Sequence, residues 1–183
     1  MYQRILIVVD EGPVAKAAVD EGLGLAKVHG AEVLFFHVLP SYVMPVADAP
    51  SLVLMSPEQH RQAVEAVAAR LLAEATGVAR QAGVASQSAV GSDADAATCI
   101  ATAVVDRDCD LLVVGSHGRN VLQRLIFGSL VVRLIPLVTV PMLVCKSHEE
   151  VSQAAQEATD DSSAVPPAMS VVPPRGIDLP PQA

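Results

Sequence analysis

The residues best suited to chemistry are Gly115-Ser116-His117-Gly118, then nine residues, then Gly128-Ser129. Glycine brings backbone N–H groups close to anionic oxygens, because no Cβ intervenes. A Ser hydroxyl at a helix start adds a donor where the helix dipole already favours an anion. A strand that ends in glycines, with a later Gly-Ser opening a new apolar run, is a phosphate-cradling arrangement. On spacing alone, turn glycines with no ligand explain the pattern too. No Gly-Lys-Ser/Thr is present, so this is not a P-loop.

Other polar residues sharpen that reading. Asp10 ends the apolar run Ile5-Leu-Ile-Val-Val9, and a carboxylate at the end of a buried strand needs a reason. His117 either reaches a bound anion or only supports its turn. Arg119 and Arg124 can neutralise phosphates and are equally explained as solvated loop charges. His37 fits a core histidine as well as a ligand-facing one, and His29, His60 and His148 read as surface residues. No nucleophile–base pair is evident, so no catalytic residue is assigned. Cys99, Cys109 and Cys145 are odd in number and lack a CxxC spacing, which fits a reduced chain without zinc.

Composition excludes several functions. The net charge of −8 argues against a nucleic-acid backbone binder, and 3% aromatics argue against base stacking. Hydrophobic residues make up 51%, mostly Ala, Val and Leu, which suits Val-rich parallel strands packed on Ala-rich helices. No apolar run approaches the about 20 residues of a membrane span, and the opening residues lead straight into a short strand. A soluble, cytoplasmic protein without a membrane partner is expected.

The elements that must position these residues alternate. Strands are expected at Arg4–Asp10, Ala31–Val38, Ser86–Val90, Asp110–Gly115 and Pro141–Lys146. Helices are expected at Pro13–His29, Pro57–Ala82, Ala94–Asp106 and Ser129–Ile135. Val14, Ala17, Ala18, Leu25 and Val28 can form the apolar face of the first helix, which Gly30 ends. Ser56 and Gln59 form a capping box for the second helix, and Asp93 caps the third. The loop Leu39–Ser56, with Met44, Met55 and three prolines, is a lid or a plain connection. Together these predict an α/β fold: a doubly wound, five-stranded parallel sheet of order 3-2-1-4-5, with helices on both faces. In that order the winding reverses between strands one and four, so Asp10 and the glycine motif share one crevice.

Strand five, Val140-Pro-Met-Leu-Val-Cys145, is an apolar edge. Pairing with a second copy removes the exposed edge, which predicts a homodimer through Pro141–Lys146. The tail covering that edge is the alternative. Residues 147–183 carry six carboxylates against Arg175, a net of −5, which leaves −3 for residues 1–146. With three Pro-Pro pairs, the tail is expected to be disordered beside a domain of residues 1–146.

Four blocks give residues 2–146 a resemblance to the universal stress protein family. They are Ile5–Asp10, Phe35-Phe-His-Val38, Asp110–Arg119, and Gly128-Ser129 followed by Val140–Val144. The spacing G-x2-G-x9-G-S resembles that family's ATP-binding signature. The resemblance implies a dimeric stress-response protein that binds ATP, with Mg²⁺ as a companion ion. It also implies residue roles. Asp10 would sit beside the nucleotide, and Val38 would contact adenine mainly through its backbone. Gly115, His117 and Gly118 would line ribose and phosphates, while Gly128, Ser129 and Leu130 would cradle phosphates. Glu11 and Val131 depart from the family pattern: the first adds negative charge beside a polyanion unless it points away or joins Asp10 on Mg²⁺. The leading expectation is a nucleotide-dependent regulator. The alternatives are a slow ATPase or autophosphorylating enzyme with Ser129 as acceptor, and a nucleotide-free interaction protein.

Overall fold

The computed structural model describes residues 1–41, 56–92, 95–116 and 129–146, with Ser129 described by its backbone alone. Five strands form one parallel sheet: β1 (Arg4–Val8), β2 (Glu32–Leu39), β3 (Ser86–Ser92), β4 (Leu111–Gly115) and β5 (Met142–Cys145). Their order is β3-β2-β1-β4-β5, as expected from the alternation of strands and helices. The helices are α1 (Pro13–His29), α2 (Pro57–Ala82), α3 (Ala96–Asp106) and α4 (Ser129–Leu134).

Alternation along the strands divides the core in two. Ile5, Ile7, Val33, Phe35 and Val113 face α1 and α2. Leu6, Leu34, Phe36, Leu112 and Val114 face α3 and α4. Both sides of β1, β2 and β4 are therefore apolar, as a covered parallel sheet requires.

Local chemistry sets the helix ends. Gly30 and Gly83 adopt left-handed conformations that close α1 and α2. Ser56 Oγ accepts from Gln59 N at 3.2 Å, and Ser56 N donates to Gln59 Oε1 at 2.9 Å, so the expected capping box is present. In α2, full burial begins only at Ala68; Pro57–Val67 buries no side chain completely.

Three expectations need correction. The buried face of α1 is Val14, Ala15, Ala18, Val19, Gly22, Leu23 and Ala26, one position round from the expected stripe. Val28 is 82% exposed, and Ala17 and Leu25 are only half-buried. The shift follows from Gly22: a Cβ there would meet Ile7 Cδ1 and lie 2.9 Å from Ile7 Cγ1, so this glycine is where α1 comes closest to β1. The cap of α3 is Asp95, whose carboxylate accepts from Ala97 N at 3.1 Å; Asp93 lies outside the described residues. Asp110 precedes β4 rather than opening it, and its carboxylate accepts from Gln3 N at 2.7 Å and Arg4 N at 3.1 Å, pinning the start of β1.

Candidate functional site

At the carboxyl ends of β1 and β2, on the α3–α4 side, lies a cleft of about 350 Å³. Its walls include Val8, Val9, Asp10, Val38, Leu39, Ala96, Ile100 and Leu130. Right-handed crossovers leave in opposite directions from β1 and β4, so the helices diverge here and leave a gap. The walls are mainly apolar, with polar atoms where β1 and β2 stop. A flat apolar ring fits such a slot.

Four residues singled out in the sequence line this cleft: Asp10, His37, Val38 and Leu130. Asp10 follows β1, and its Oδ1 accepts from Glu11 N at 2.8 Å. Val38 is half-buried near the end of β2. Leu130 stands in the first turn of α4, beside Ser129. Gly115 ends β4, where a Cβ would lie 2.8 Å from Val14 Cγ1 and 3.4 Å from the Val14 backbone. Close packing against α1 therefore explains this glycine on its own. His117, Gly118 and Gly128 lie outside the described residues, as do Arg119, Arg124 and the Met44–Met55 segment.

Both family departures have a local explanation. Glu11 turns toward α2, where its Oε1 accepts from Arg70 at 2.8 Å, so its charge is compensated and directed away from the cleft. It lines instead a groove between α1 and α2. Val131 is 1% exposed and packs in the core with Leu112 and Leu134, so its side chain faces inward.

The far wall is braced electrostatically. Asp95 accepts from Thr98 Oγ1 at 2.7 Å and pairs with Arg133 in the last turn of α4. The Thr98 hydrogen bond, more than the α3 amide or Arg133, holds the Asp95 carboxyl below its ordinary range. The bridge ties α3 to α4, which carry Ala96, Ile100 and Leu130. Asp95 and Arg133 are residues that sequence reasoning missed; an Asp directly ahead of an Ala-rich apolar run was the available signal.

His37 is 4% exposed, and its Nδ1 lies 2.7 Å from Val9 O. It is a satisfied core histidine, on the strand face opposite Val38. Among the described residues, no backbone hydrogen bond runs from Val38 N to Val9 O. The end of the β1–β2 ladder thus lies beside apolar walls, an arrangement that suits a heteroaromatic base.

A family model described as the universal stress protein family matches residues 1–146. The chain belongs to the universal stress protein family. A curated relative, universal stress protein YxiE of Bacillus subtilis (strain 168), is 24% identical over 149 residues, which span 80% of this chain and 100% of the relative. A universal stress protein family structure from Burkholderia pseudomallei has a TM-score of 0.62 at 23% identity, covering 78% of this chain and 95% of its own. A family member from Arabidopsis thaliana, solved with AMP bound, has a TM-score of 0.57 at 17% identity, covering 81% and 94%. The family's α/β sheet is the one described above. Among the described residues, no helix is long and apolar enough to cross a membrane.

Proposed function

We propose that this universal stress protein binds an adenine nucleotide in the cleft at the carboxyl ends of β1 and β2, beside the switch point next to β4, and acts as a nucleotide-dependent regulator. The carrying observation is the convergence of Asp10, Val38 and Leu130 on one apolar-walled cleft at the switch point of the sheet. Related structures hold AMP, dAMP and cAMP, which supports the base and leaves the phosphates to this chain's own glycine motif. The base lies between Val38 and Leu130, and the ribose lies near Asp10. His117, Gly118, Gly128 and Ser129 take the phosphates through backbone amides and a hydroxyl, with ATP as the fullest occupant. Mg²⁺, when bound, would offset phosphate charge, with Asp10 the carboxylate that lines this cleft.

Isothermal calorimetry with ATP, AMP and Mg²⁺ tests the reading. Micromolar binding is expected for the wild type, and loss is expected in Gly118→Val and in Ala96→Phe, which narrows the cleft. No binding by the folded wild type refutes it.

The active unit in this proposal is a homodimer paired through Pro141–Lys146, with residues 1–146 as the working domain and 147–183 as an appended tail. The support is asymmetry between the two sheet edges. β3 is polar in composition, whereas β5 carries half-buried Met142, Leu143 and Val144. Nearby, Val132, Ile135 and Leu137 are 54%, 62% and 44% exposed. Sedimentation should show a dimer that Leu137→Asp weakens; a monomer at micromolar concentration refutes it.

A further inference from the structure

The pairing of β1 with β2 stops one hydrogen bond early. The two strands are in register through Val8 opposite Phe36, which sets Val9 opposite His37. Val9 N still donates to Phe36 O at 2.9 Å, so the backbones remain at ladder distance. In a parallel ladder the next bond runs from Val38 N–H to Val9 O. That bond is missing among the described residues. Val9 O accepts instead from the His37 ring, with Nδ1 at 2.7 Å.

The roles in this contact are fixed. A carbonyl oxygen only accepts, so Nδ1 carries the hydrogen and the neutral ring has its lone pair on Nε2. His37 is 4% exposed, so burial holds its ring in place. One buried side chain thus donates to the carbonyl that the Val38 amide would otherwise meet.

We infer that His37 is a positioning residue: by occupying Val9 O it keeps the Val38 N–H free as the donor that reads the base edge of the ligand. The identity of that ligand rests on the nucleotide reading above. A single N–H donor selects a base whose facing ring nitrogen is bare, as N1 of adenine is. It disfavours hypoxanthine, whose N1 carries hydrogen, because two donors then meet. His37 therefore sets adenine selectivity through the Val38 amide.

Two measurements on the full chain decide this. Without nucleotide, amide hydrogen exchange at Val38 should be fast beside protected Phe36 in the wild type. In His37→Phe the ladder gains its missing bond and Val38 becomes protected. With nucleotide, calorimetry compares AMP and IMP. His37→Phe should bind AMP about tenfold more weakly and lose most of its preference over IMP. His37→Asn, whose side-chain amide can donate to Val9 O, should restore both. A purely structural role would lower stability but leave the AMP-to-IMP ratio unchanged. Protection of Val38 in the ligand-free wild type overturns the inference, as does a folded His37→Phe with wild-type AMP affinity and selectivity. Failure of the wild type to bind either nucleotide refutes the nucleotide reading and the selectivity role, while the exchange data still decide what His37 does to the ladder.

Discussion

Two glycines of α1 make a controlled comparison of packing against helix propensity. Gly24 is exposed, and a Cβ there meets nothing within 4 Å. Gly24→Ala should therefore stabilise the protein by about 1 kcal/mol, the ordinary gain for replacing glycine inside a helix. Gly22→Ala earns the same gain but drives its Cβ into Ile7, where Cγ1 is 2.9 Å away and Cδ1 is closer. Ile7 is fully buried, so it relaxes only against a filled core. Overpacking of this kind costs about 1–3 kcal/mol. The net for Gly22→Ala is then about 0–2 kcal/mol of destabilisation. The gap between the two variants, about 1–3 kcal/mol, isolates the contact. Urea denaturation measures both, with the slope expected to be unchanged. Ile7→Val removes Cδ1 and alone costs about 0.5–1.5 kcal/mol. In the Gly22→Ala background it should cost less or stabilise, giving a coupling term in the double-mutant cycle. Equal stabilisation by both glycine substitutions would refute the claim that α1 and β1 are in contact at Gly22.

Two further outcomes follow from the electrostatics. Burial pushes the Cys109 thiol up from 9.0 to about 11, so above pH 9 the unfolded chain loses a proton that the native chain keeps. Stability should fall as pH rises from about 9 toward 11, and Cys109→Ala should flatten part of that fall in denaturation series; an unchanged slope counts against this. Arg70→Ala should lower stability by less than about 1 kcal/mol, because the Arg70–Glu11 pair is partly exposed. It also removes the Arg70 cation from beside Glu11, so calorimetry should show ATP affinity falling more than AMP affinity, and less so at high salt; equal losses refute this.

The sheet order was legible because period and punctuation agree: apolar runs of strand length alternate with capped helices, and Gly30, Ser56-Gln59 and Gly83 mark helix ends through local backbone chemistry. The meeting of Asp10 with Val38 was legible for the same reason, since topology alone brings the ends of β1 and β2 together. The buried face of α1 was not. Its rotation depends on Gly22 lying against Ile7, a contact between residues fifteen apart that helical period cannot report. The end of β1 was misplaced by two residues because His37, on another strand, takes a carbonyl that local pattern assigns to the ladder. Asp95 escaped notice because Asp93 offered the same cap signal, and the choice between them rests on Thr98 and on Arg133, a residue of another helix.

The length of α2 has a separate consequence. Its 26 residues span about 39 Å, whereas the eight of β2 span about 26 Å. The excess is Pro57–Val67, where nothing is fully buried and the local contacts include the Ser56–Gln59 capping box and the exposed Arg61 bridges to Glu58 and Glu65. Those turns can open while Ala68–Ala79 stays docked, so this end of the helix has its own, lower melting free energy. Proteases should find it before they find the core. Related chains can gain or lose whole turns here without repacking anything beneath the sheet.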